Sequence, residues 1–291
     1  MESFSKKYAW LFLVMSSICW SLAGVLVKST SWHPVSIATL RGSISFLIFF
    51  AFKKPGKIQL TRAKILGAIC YFMQGILIIT ANKLTTAGNA TLLQNTAPMF
   101  VMALNLFFLR QKPSKEDVLT CAVLISGIAL CCLGNGGKGK LAGDLLAVVS
   151  GMFYAGVFFA DTMGGADAME SLILGNSLYL SLIPYLFVDQ AVRHSTGKDI
   201  FAVLAFSLIT GTVAWYLFSR GIRYIPSLRA SFVTMLEPVL APVWALLFIG
   251  ERMHLICIAG FIVVIVTLII YNFRRIREEE GHQKPYTEEA S

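Results

Sequence analysis

The chain runs to 291 residues, of which 56% are hydrophobic and 14% charged, with a net charge of +9 and a mean hydropathy of +0.69. That balance excludes an ordinary soluble domain and makes lipid the expected solvent. The surplus of Lys and Arg does not mark a nucleic-acid binder, because these residues stand in short clusters between apolar runs, where membrane orientation accounts for them.

A helix crosses the hydrocarbon core with about 20 apolar residues. Ten segments meet that requirement: 8–27, 35–52, 65–81, 87–109, 118–133, 141–160, 172–188, 200–218, 228–249 and 255–271. The first follows Lys6 and Lys7 and reads as a permanent span rather than a cleaved signal, since no small-x-small site follows it. It carries Ser17, Trp20, Ser21 and Gly24 on one face, an aromatic beside small polar residues that suits a ligand wall. The second holds Arg41, the one Lys or Arg within a span. A lone cation at the bilayer centre costs about 2.5 to 3.5 kcal/mol, so Arg41 either holds a substrate carboxylate or braces neighbouring helices through backbone carbonyls. The third span offers Tyr71 and Gln74, with Asn82 at its end.

The fourth span has the clearest polar stripe. Thr91, Gln94, Asn95, Pro98, Met102 and Asn105 recur at helical spacing and, at about 100° per residue, fall on one face. Such a face turns inward, either lining a cavity or tying helices together, and Pro98 lets the helix bend. Asn176 and Tyr179 lie one turn apart in the seventh span, and Thr212, Trp215, Tyr216 and Ser219 form a stripe in the eighth. Tyr71 and Tyr216 also suit an interfacial anchoring role. Glu237 is the one carboxylate near the middle of a span. It lies about 120° from Ser231 and about 60° from Thr234, off the face that matches the fourth-span stripe. It therefore reads as a hydrogen-bonded brace between helices, with ion or substrate coupling as the alternative. The six cysteines sit in or beside apolar runs without metal-ligand or disulfide spacing, and the residues after Tyr271 form a polar tail, 276–291.

The loops orient the bundle. A cytoplasmic N-terminus places Lys6, Lys7, Lys53, Lys54, Lys57, Arg62, Lys64, Arg110, Lys112, Lys115, Arg220, Arg223, Arg229, Arg274, Arg275, Arg277 and Lys284 inside, 17 in all. Lys28, Lys83, Lys138, Lys140, Arg193, Lys198 and Arg252, 7 in all, then lie outside. The positive-inside rule favours both termini in the cytoplasm. The loop 161–170 dissents, since it belongs inside yet has no Lys or Arg.

Shifting the chain by 140 residues superposes Ala90 on Ala230, Pro98 on Pro238, Leu106 on Leu246, Phe108 on Phe248, Val123 on Val263 and Ile125 on Ile265. Helix order agrees, which divides the chain into halves 1–137 and 138–275 of five spans each. Five is odd, so the halves are inverted relative to each other, the recurring design of alternating-access carriers.

The early aromatics in Cys19-Trp20-Ser21 and Phe153-Tyr154-Ala155, Leu40-Arg41-Gly42, and Ala87-Gly88-Asn89-Ala90 leading to Pro98 carry a family resemblance. Leu236-Glu237-Pro238-Val239 and Phe248-Ile249-Gly250-Glu251-Arg252 complete it. Over nearly its whole length the chain resembles the ten-helix EamA-type members of the drug/metabolite transporter superfamily. The resemblance implies an inverted-repeat bundle with cytoplasmic termini and a central cavity, often used to export amino acids or other metabolites. The first half departs from it, with Asn95-Thr96-Ala97-Pro98 for the Glu-Pro form and Arg110-Gln111-Lys112 for Gly-Glu-Lys or Gly-Glu-Arg.

The expectation is thus an all-α integral membrane protein of the cell inner membrane, with ten transmembrane helices as two inverted five-helix repeats. It carries a small metabolite, with Trp20, Arg41, Tyr71, Gln74, Thr91, Gln94, Asn95, Met102, Tyr154, Asn176, Trp215 and Tyr216 as candidate substrate contacts and Glu237 as the coupling candidate. Alternatives are efflux of lipophilic cations and a membrane enzyme or scaffold. No catalytic constellation, metal site or cofactor is implied, because His33, His194, His254 and His282 lie in loops or the tail. The expected partners are a small-molecule substrate and the bilayer, with no nucleic acid, and the chain acts as a monomer or homodimer.

Overall fold

A computed structural model describes residues 8–53, 58–134 and 141–250, with scattered positions between 255 and 274. Every regular element among the described residues is helical. Eight stretches among the described residues are long and apolar enough to span a bilayer. They begin with α1 (Ala9–Ser21) and α2 (Ala23–Lys28), two parts of one span, then α3 (Pro34–Lys53) and α4 (Arg62–Leu84). The next span is α5 (Ala87–Gln94) with α6 (Ala97–Phe108). After α7 (Lys115–Gly134) come α8 (Leu141–Ala160) and the span of α9 (Ala168–Tyr179) with α10 (Ile183–Val188). The last two are α11 (Gly197–Ala205) with α12 (Ala214–Gly221), and α13 (Ser227–Thr234) with α14 (Leu236–Ile249). The fifth predicted span coincides with α7. The tenth falls where only scattered positions are described, and Glu251-Arg252, the glycine-rich stretch after Gly134 and the tail lie outside the described residues.

Local chemistry sets the helix ends. Thr61, Thr86 and Asp167 accept hydrogen bonds from the backbone N–H groups of Lys64, Asn89 and Glu170, and Thr196 with Asp199 forms a capping box at α11. Gly250 ends α14 with φ of 72°, a left-handed conformation that favours glycine. The lipid-adapted pattern is plain in the burial. Phe107 is 77% exposed and Leu47 64%, whereas Ser16, Ser45 and Asn176 are fully buried. A water-soluble bundle would reverse that arrangement.

Besides the first, interrupted at Leu22, two spans predicted as continuous helices are broken at matching positions. The fourth parts at Asn95–Thr96 and the ninth at Met235, positions separated by the same 140-residue shift that superposes Pro98 on Pro238. Each proline stands in the first turn of the helix after the break, where its missing N–H has no helical acceptor to lose. The two broken spans pack with α5 against α14 and α6 against α13, so they run antiparallel. The eighth span is continuous but π-helical over Phe206–Val213.

The core lies between the two predicted halves: α4 runs along α8, α9 packs on α3 and α4, and α12 packs on α1. Polar ties join the halves at both ends. At one end Lys53 pairs with Asp167 at 3.3 Å and Glu170 at 3.1 Å, and Lys64 with Glu170 at 2.6 Å, while Arg223 joins Asp167 at 3.2 Å from within the second half. At the other, Asp199 accepts from the Ser31 N–H at 2.7 Å, Asp189 from the Ser36 hydroxyl at 2.5 Å, and Ser195 Oγ from Trp32 Nε1 at 2.7 Å. The loop that dissented from the charge rule is therefore the acidic partner of cations gathered at its own end.

Candidate functional site

A cavity of about 50 Å³ opens where these helices meet. Trp20, Arg41, Gln74, Thr91, Gln94, Tyr154, Trp215 and Glu237 line it, joined by Ala23, Val27, Ile78, Ile79, Asn82, Phe206 and Thr210. Its floor is aromatic. Trp20 meets Trp215 edge-on with ring centres 4.7 Å apart and Tyr154 at 5.9 Å, while Tyr71 meets Trp215 at 4.7 Å from behind. Edge-to-face packing of this kind fixes ring positions more firmly than area burial alone.

Arg41 reaches the cavity from α3 and is 4% exposed. Its Nη2 donates to the Tyr71 hydroxyl at 3.2 Å, and that hydroxyl donates to Asn176 Oδ1 at 3.0 Å. The guanidinium carbon lies 5.4 Å from the Tyr71 ring centre and 5.8 Å from that of Phe206. Two glycines make room for it. A Cβ on Gly75 would stand 2.7 Å from Arg41 Nη1, and one on Gly211 2.7 Å from Arg41 Cγ, so neither position accepts a side chain without moving the arginine. Across the cavity, Gln94 Nε2 donates to Gln74 Oε1 at 3.1 Å and Ser150 Oγ at 2.8 Å, and the Ser150 hydroxyl donates to the Gln74 carbonyl at 3.0 Å.

The candidate residues divide. Tyr71 and Asn176 stand in a second row behind Arg41. Asn95 is buried beside Glu237 and donates to the Thr91 carbonyl at 2.9 Å. Met102 and Asn105 line a separate space of about 420 Å³ with Ser227, because the break at Asn95–Thr96 splits the predicted stripe. Tyr216 is 41% exposed and accepts from Arg220 Nη2 at 3.0 Å, so it is apart from the cavity.

Glu237 does face the cavity, contrary to its predicted register. The helix break at Met235 resets the angular count between Thr234 and Glu237. Phe206 and Thr210 escaped the sequence reading for a related reason. On an α-helix Thr210 and Trp215 are about 140° apart, but a π-helical turn returns a five-residue step to the same side. The small polar run Thr210-Gly211-Thr212 inside an apolar span was the available signal.

The arrangement offers a cation, a carboxylate, amides and aromatic faces around a small space. The profile of the EamA-like transporter family matches residues 7–133 and again 141–273. The chain is similar to the uncharacterized transporter YcbK of Bacillus subtilis (strain 168), with 22% identity over 92% of this chain and 93% of that one. It is likewise similar to an uncharacterized transporter of Archaeoglobus fulgidus, with 24% identity over 91% and 96% of the two chains. A solved structure described as a crystal structure of a protein superposes with a TM-score of 0.73 at 16% identity, over 94% of this chain and 99% of its own, which speaks to the fold.

Proposed function

The chain belongs to the EamA-like transporter family, and from that premise we propose that it is a secondary carrier exporting amino acids or related organic solutes across the cell inner membrane by alternating access. The observation that carries this reading is the small polar and aromatic cavity between the halves, with polar ties across both of its ends. A carrier that alternates its site between the two sides needs a cavity of this kind between its repeats, with contacts near either end that can part. The inverted-repeat organisation, with units 1–137 and 138–275, draws support from the two matched segments, the shared helix breaks and the antiparallel packing of α5 on α14 and α6 on α13. The loop charges support cytoplasmic termini.

Efflux of lipophilic cations is a second reading, favoured by Glu237 and the aromatic rings in one cavity wall. One experiment separates the two. Purified protein in proteoliposomes is offered labelled amino acids, organic acids and a lipophilic cation, with and without a proton gradient. The account expects amino-acid or organic-acid flux. Flux of the cation alone selects the second reading, and no flux of any solute removes both.

A further inference from the structure

The cavity contains a guanidinium that forms no ion pair with any described residue. That guanidinium belongs to Arg41, which offers donors in a planar fork and no acceptor. Tyr71 occupies its Nη2, but its buried Nε has no acceptor. A second donor shares the cavity and the deficit: Trp20 Nε1, on a side chain 6% exposed, is also without a partner. Both groups only donate. The amides of Gln74 and Gln94 do not answer them, since they are joined to each other and to the Ser150 hydroxyl, and although Asn82 Oδ1 and the Tyr154 hydroxyl also stand in the lining without a partner, neither brings negative charge. Glu237 lines the same cavity without forming an ion pair to Arg41. Two buried donors, one of them a permanent cation, call for a guest that brings acceptor oxygens and negative charge.

We propose that Arg41, assisted by Trp20 Nε1, anchors a carboxylate carried by the solute, so that the cavity selects organic acids and zwitterions with a compact apolar body and rejects amines that lack an acid group. The proposal rests on the transport reading above and names the chemistry of that same site. The apolar body is set by the remaining wall, where Ala23, Val27, Ile78 and Ile79 face the rings of Trp215 and Tyr154. The anchor is held in advance: Tyr71 and Asn176 orient the guanidinium, and the room left by Gly75 and Gly211 admits it. Binding the acid therefore requires little further ordering of the arginine.

The test uses the full chain in lipid nanodiscs and three solutes with one carbon skeleton: leucine, its deaminated acid isocaproate, and its decarboxylated amine isoamylamine. Intrinsic tryptophan fluorescence reports occupancy, since Trp20 and Trp215 line the cavity. Leucine and isocaproate should give saturable changes and isoamylamine none. Arg41→Gln should weaken binding by roughly tenfold or more, the scale of one charge-assisted hydrogen bond, with Arg41→Lys between it and the parent. Tyr71→Phe removes an orienting partner without altering the charge and should weaken binding severalfold. It carries the test if Arg41→Gln fails to elute as a folded, monodisperse protein. Equal binding of the amine, silence of both carboxylates, or unchanged affinity in Arg41→Lys and Tyr71→Phe would overturn the proposal. Counterflow in proteoliposomes keeps the two readings apart. Carboxylate binding without flux sinks the carrier and leaves the anchor, whereas flux of the amine alone does the reverse.

Discussion

Glu237 and Arg41 show how a residue's meaning depends on where its helix starts counting. Both were legible in the sequence as ionisable groups in apolar spans, which lipid makes costly and therefore informative. The facing of Glu237 was not legible, because it depends on the break at Met235. With its carboxylate in the cavity wall, Glu237→Gln should lower accumulation against a gradient by about tenfold or more while leaving solute exchange intact. Loss of both activities together, or of neither, would return Glu237 to a bracing role. Outside the spans, burial pushes Asp161 up to about 6; nearby Asp167 adds to the rise, and Arg223 opposes it. Its folded-state value is raised above 3.8, so its contribution favours folding at low pH and fades as pH rises through 6. Asp161→Asn should therefore raise the melting temperature by about 2 to 4 °C at pH 7.5 and not at pH 3.5. Asp167 moves the opposite way: burial raises it, but the Glu170 N–H, Lys53 and Arg223 together hold it below the usual range. It serves as the control whose neutralisation should destabilise at pH 7.5.

At the scale of elements, hydropathy located the spans well, because the bilayer enforces their length. The fourth predicted span, 87–109, differs by one residue from the end of α6. Its interior was less legible, since a single helical period was carried across a break and placed Met102 and Asn105 with Gln94. The acidic loop between α8 and α9 makes a functional prediction at this scale. Its Asp167, with Glu170 in the first turn of α9, binds Lys53 at the end of α3, Lys64 at the start of α4, and Arg223. If this cluster closes one end of the carrier, Glu170→Gln loosens that closure. A cysteine at Gln94, in a background without the native cysteines, should then react severalfold faster with a membrane-impermeant thiol reagent. An unchanged rate would make the cluster a static staple.

For the whole molecule, the apolar exterior and buried polar interior follow from composition, whereas the ties at the two ends join residues far apart in sequence, such as Ser31 with Asp199 and Lys53 with Asp167. No local pattern announces those pairings. The loop charges predict that a reporter fused after Tyr271 is active only in its cytoplasmic form, and a periplasmic signal would put the span count wrong by one. If solute crosses through the cavity between the two predicted halves, filling that cavity stops it. Ala23 lines that cavity, and Ala23→Phe adds a ring to a space of about 50 Å³. Gradient-driven flux of labelled amino acids and organic acids is then compared between parent and variant at equal levels of folded, reconstituted protein. The account predicts flux by the parent and its loss in Ala23→Phe; equal flux in both would contradict it and place the pathway elsewhere.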